Sequence, residues 1–98
     1  MPTYLALHKH NRDGAQTIRQ LPERLDGAKQ LAASMDCEVE YYLVNGHYDS
    51  AVVIDAPDEM TAKRLELAVT GTGTVTTEFQ RAFREHEVLD LVEGIPEV

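Results

Sequence analysis

Short apolar runs and helically spaced apolar residues alternate along this chain, and turn residues separate them. "TYLALHK" (3–9) predicts a central strand, with Pro2 placed just before it, where a missing amide does no harm. "HNRDG" then breaks the pattern. Asp13 followed by Gln16 resembles the opening of a capping box, so 14–20 is predicted as a short helical stretch. Pro22 suits the first turn of a second helix. Along that helix Leu25, Ala28, Leu31, Ala32 and Met35 form one inward stripe, and Asp36 makes the turn that ends it.

"EVEYYLV" (38–44) and "YDSAVVID" (48–55) predict the next two strands. Asn45-Gly46 between them predicts a type I′ hairpin, whose two central residues both need positive φ. Asp58 is placed to cap a helix over 59–70, with Ala62, Leu65, Ala68 and Val69 inward and Gly71 as its stop. "TVTTEFQRAF" (74–83) predicts a fourth strand from its threonine content. "EHEVLDLVE" (85–93) predicts a short amphipathic helix ended by Gly94 and Pro96.

The order βαββαβ plus a terminal helix predicts an α+β chain of ferredoxin-like plan. Its antiparallel sheet carries helices on one face. Splitting each strand by its period of two leaves both faces substantially apolar. Strand one offers Tyr4, Ala6 and His8 on one side and Leu5 and Leu7 on the other. Strand three offers Val52 and Ile54 against Ala51 and Val53. Two helices cover one face only, and a solvated second face should read as polar. A second copy of the sheet is therefore the expected cover, giving a homodimer packed face to face.

Composition narrows the class. Ninety-eight residues with 43% apolar and 27% charged positions suit one globular domain over 1–98. No apolar run exceeds four residues, so neither a spanning helix nor a signal-peptide core is expected. The lone Cys37 closes no internal disulfide, which suits a reducing, cytoplasmic setting. A formal charge of −8 argues against nucleic acid and against an anionic membrane surface as partners. Three lysines against 17 acids is a balance that suits a salt-rich host or plain solubility.

"GHYD" (46–49), the apolar strand after it and "DAPD" (55–58) resemble the motif, strand and acid-Ala-Pro-Asp of the GYD domain family. Pro2-Thr3-Tyr4, Gly14, Pro22-Glu23-Arg24, Tyr42 and Arg81-Ala82-Phe83 fit the same pattern, so the resemblance spans nearly the whole chain. It implies a dimeric α+β barrel built from ferredoxin-like protomers and brings no established reaction. His8, His10, Asn11 and Asp36 depart from the family pattern.

In this topology the end of strand one, the 45–46 turn and the start of strand four share one end of the sheet. His8, Lys9 and His10 should lie near Tyr48, Asp49 and Ser50, with Thr74 and Thr76 beyond strand one. Each has a structural role available. Lys9 can pair with Asp49 across the strands, Asp49 can accept amides near the turn, and the Tyr48 ring can cover the strand end.

The catalytic reading takes His8 as general base and Tyr48 as orienter, with Asp49 beside them. His10, Tyr42, Arg24 and Thr76 are candidate ligand contacts. Arg24 is also expected to pair with an acid such as Asp58 or Asp26. His8-x-His10 has a usable metal spacing, but no cysteine cluster or helical His-Glu pair supports it, so no metal or cofactor is expected. Cys37 lacks an activating partner. The expectation is an oligomeric, ligand-binding module. The alternative is a cofactor-independent enzyme of proton-transfer or monooxygenase type acting on a small molecule, aromatic ones included.

Overall fold

A four-stranded antiparallel sheet of order β2-β3-β1-β4 organises the computed structural model, which describes residues 1–97. The elements run β1 (Thr3–His10), α1 (Arg12–Gln16), a 3₁₀ turn (Ile18–Gln20), α2 (Leu21–Ser34), β2 (Glu38–Leu43), β3 (Ser50–Asp55), α3 (Glu59–Thr70), β4 (Val75–Ala82) and α4 (Glu85–Glu93). This is the ferredoxin-like βαββαβ plan with an added terminal helix. β1 lies centrally, as its apolar composition requires, and pairs Leu5 with Val53 on one side and with Gln80 on the other.

One sheet face carries Tyr4, Ala6 and His8 of β1, Ser50, Val52 and Ile54 of β3, Val39 and Tyr41 of β2, and Phe79 of β4. Tyr4, Ala6 and Ile54 form the core with Ala32 of α2 and Ala62 and Leu65 of α3. Tyr4 stacks on Phe79 with ring centroids 5.3 Å apart. The opposite face carries Leu5, Leu7, Ala51 and Val53 at its centre, half-buried by one another, and no helix among the described residues covers it. Tyr42, 53% exposed, lies at its β2 edge.

The predicted strands and helices form, with shifted bounds and caps. The predicted 14–20 helix is the α1 helix followed by the 3₁₀ turn. Its cap is Asn11 rather than Asp13, because the Asn11 side chain accepts from the Gly14 amide at 2.9 Å while its Nδ2 donates to the Gly73 carbonyl. Gly14 is required here by proximity, since a Cβ on it would stand 2.3 Å from the Thr74 carbonyl oxygen.

The 45–46 turn is not type I′. Among the described residues Asp36 is the one non-glycine with positive φ, so Asn45 lacks the conformation that turn needs. β2 ends at Leu43 and β3 begins at Ser50, and the Val44 amide closes the intervening loop on the Asp49 carbonyl at 2.9 Å. Gly46 still takes a glycine-favouring φ of 154°.

α2 ends in a Schellman arrangement. The Cys37 amide donates to Ala32 O at 2.9 Å and the Asp36 amide to Ala33 O at 3.1 Å, with Asp36 at φ 58°. At the other end of the chain α4 leaves the body of the fold, and Val88, Leu89, Leu91 and Val92 stay exposed along it. The radius of gyration of 15.2 Å exceeds the roughly 13 Å of a compact chain of about 100 residues.

Candidate functional site

Small side chains open a space beneath the helices. Ala6 and Ser50 on the sheet, Ala28 on α2 and Ala68 on α3 replace the large residues that would close the layer. A cavity of about 340 Å³ lies there, walled by Leu25, Leu31, Val39, Val52, Ile54 and Leu65 among others. The half-buried Leu25 and Ala28 of the predicted α2 stripe therefore face this cavity rather than filling a core.

Polar groups are few in this wall, and several lack partners. Ser50 is 0% exposed, and its hydroxyl makes no hydrogen bond. The Tyr41 hydroxyl is likewise buried and unpaired. His8, 7% exposed, stands directly opposite Ser50 in the β1–β3 register. Burial pushes the His8 imidazole below its ordinary pKa and neighbouring His10 adds to that, while Glu66 acts in the opposite sense. His8 is therefore a free base near neutral pH. Glu66 of α3 is itself buried, and Lys63 Nζ meets its Oε2 at 3.0 Å.

Of the residues singled out from the sequence, His8, His10, Ser50, Thr74 and Arg24 line the cavity. Arg24 meets no acid. Its Nη1 donates to the Thr17 carbonyl at 3.0 Å and to the Thr17 hydroxyl at 2.9 Å, bracing the connection ahead of α2. The others lie elsewhere. Tyr48 donates its hydroxyl to Glu78, whose position opposite Leu7 puts it on the uncovered sheet face. Hydrogen bonding to that carboxylate raises the Tyr48 pKa. Asp49 accepts the His10 amide at 2.8 Å, and no Lys9–Asp49 ion pair forms. Tyr42 donates to Glu40 at 2.9 Å on the uncovered face, and Thr76 is exposed there opposite Lys9.

Glu66 and Tyr41 were missed as polar members of the site. Glu66 falls four residues after Ala62 and three before Val69, within the apolar stripe of α3, and a carboxylate at that spacing was the available signal. Tyr41 shares the period of Val39 on β2, so its ring reads as part of the apolar face and its hydroxyl gives no separate signal. Cys37 is buried, with burial and then Asp36 and Asp58 raising its thiol pKa, which leaves it unreactive. Among the described residues no His, Cys, Asp and Glu cluster could hold a metal ion. No helix there is long and apolar enough to cross a membrane.

Comparison with known proteins adds three findings. A family profile described as "GYD domain" matches residues 4–92. A Thermus thermophilus protein named "Glutamine synthetase and cystathionine beta-lyase binding protein" is 35% identical over 79 residues, covering 79% of this chain and 83% of that protein. The designed protein Ferredog-Diesel superposes with a TM-score of 0.54 at 10% identity, over 83% of this chain and 85% of its own. That likeness concerns the fold alone.

Proposed function

The chain belongs to the GYD domain family, and from that premise we propose that it is an oligomeric binding module that pairs with a second copy and docks onto a partner protein. The observation that carries this reading is the uncovered sheet face. Leu5, Leu7, Ala51 and Val53 present an apolar centre that no element among the described residues covers. Burying such a surface is worth about 25 cal/mol per Å², and a matching sheet is the simplest complementary cover. α4 supplies a second apolar surface, with Leu89 68% exposed. A helix of this kind suits a groove on another protein. The relative's printed name, a binding protein for glutamine synthetase and cystathionine beta-lyase, favours a docking role of that type.

The rim of the sheet face carries Glu38, Glu40 and Glu78, with Lys9 as the one cation among its strand residues. Two copies bring like charges together there, so screening should tighten the pairing. Native mass spectrometry and sedimentation over a dilution and salt series test this. The expected result is a dimer that strengthens with salt and that Leu7→Glu converts to monomer. A monomer at all concentrations and salts overturns the pairing. Adding the host's glutamine synthetase should give a complex that Leu89→Glu weakens, and its absence removes that enzyme as partner.

A second reading, a cofactor-independent enzyme, is favoured by one observation: His8 is a buried free base on a cavity wall. Tyr48 does not share that wall, so the orienting hydroxyl would come from Tyr41 or Ser50. Turnover of a small phenol that persists in folded His8→Ala would remove His8 from that role.

A further inference from the structure

We propose that the cavity between α2, α3 and the sheet binds an uncharged small molecule bearing one or two oxygen atoms on an apolar body, its polar end held by Ser50, Tyr41 and His8. This deepens the binding role proposed above and rests on a different part of the molecule from the association surfaces.

Size comes first. At about 340 Å³ the space stands at the lower end of ligand pockets, which run from roughly 300 to 1,000 Å³. A single ring with small substituents suits it better than a nucleotide or a cofactor. The walls come next. Leu25, Leu31, Val39, Val52, Ile54 and Leu65 offer an apolar molecule dispersion contacts and no hydrogen bonds.

The polar groups set the ligand's head. Buried hydroxyls without partners are costly, and Ser50 Oγ and Tyr41 Oη are both of this kind. Each can donate or accept, and neutral His8 can do both through its two ring nitrogens. His8 faces Ser50 across β1 and β3, and Tyr41 lies on the same sheet face one strand further out. An alcohol, phenol or carbonyl oxygen placed among them would satisfy hydroxyls that the protein leaves unpaired.

Charge selects against ions. The buried acid, Glu66, is held by Lys63 and so offers no free counter-charge to a cation. It also repels an anion. Of the two Arg and Lys side chains on the wall, Arg24 is engaged with Thr17 and Lys29 is exposed, where water solvates its charge. An ion would lose its hydration against these walls without a paired charge in return.

The test is a titration of the protein with phenol, toluene and benzoate, followed through the amide resonances of Ala6, Ser50, Val52 and Leu65. Wild type is compared with the double variant Tyr41→Phe/Ser50→Ala. That variant deletes only unpaired hydroxyls, so its thermal midpoint should equal or exceed that of wild type. The expected result is that phenol shifts these amides and binds at least about tenfold more tightly than toluene or benzoate, an advantage the double variant loses. Silence of these amides at saturating phenol overturns the proposal, as a cavity content with water would produce. So does benzoate binding as tightly as phenol, or an unchanged phenol affinity in the double variant. The oligomer and complex masses are read without these probes, so failure here and failure of the association reading are separately visible.

Discussion

Asp49 Oδ2 accepts the His10 amide at 2.8 Å, and the Asp49 amide donates to the His8 carbonyl oxygen at 2.9 Å. These two bonds tie the last residues of β1 to the residue before β3, one through a side chain and one through backbone. The acid of "GHYD" thereby extends the β1–β3 ladder beyond its last regular pair, His8 with Ser50.

Asp49→Ala should therefore destabilise the fold by about 1.5–3 kcal/mol, the usual range for a hydrogen bond to a charged group. Asp49→Asn keeps an acceptor oxygen and should lose less than half of that. Urea unfolding of the three proteins checks the order. Equal losses for Ala and Asn would mean that the charge, rather than the bond to His10, supplies the stability.

Asp36 sits where a helix C-terminus favours glycine. Its φ of 58° places a Cβ in the left-handed region, at a cost of roughly 1 kcal/mol that an aspartate only partly avoids. Asp36→Gly should raise stability by no more than about 0.5 kcal/mol, because the added freedom of the unfolded chain offsets most of the relieved conformational cost. Thermal unfolding reads this directly, and a lower midpoint would show that the Asp36 side chain contributes more than its conformation costs.

His8 makes stability depend on pH with a defined sign. Its folded pKa lies below the ordinary 6.5, so the unfolded chain takes up a proton more readily. Its contribution is complete above about pH 6.5 and is lost as pH falls from there through the depressed folded value. His10 deepens this effect, and Glu66, the carboxylate acting on His8, moderates it. His8→Gln should flatten the slope of stability as pH falls below about 6.5. An unchanged slope would place its origin in another group.

The chain-level pattern carried much of the fold because its signals are local. A period of two in β1 and β3, the Asp58 cap with its Thr61 amide bond of 2.7 Å and the helical spacing from Ala62 to Val69 depend on neighbours a few residues apart. The surplus of apolar residues at Leu5, Leu7, Ala51 and Val53 is equally legible, since strand period alone separates them from Tyr4 and Ala6. The order of elements then leaves few ways to arrange four strands and two covering helices.

Where side chains from distant segments meet was not legible. Tyr48 and His8 are near one another in any antiparallel pairing, yet only the path of the 44–49 loop decides that Tyr48 reaches Glu78 on the uncovered face. Arg24 has acids close in sequence, but its reach ends at Thr17 because the 3₁₀ turn brings that residue back to it. The cavity arises from small residues on four different elements, Ala6, Ala28, Ser50 and Ala68, and no window of sequence contains them. Local periodicity thus determined the elements and their faces. Tertiary packing alone decided the empty space and the unpaired hydroxyls around it, because both depend on what distant side chains fail to fill.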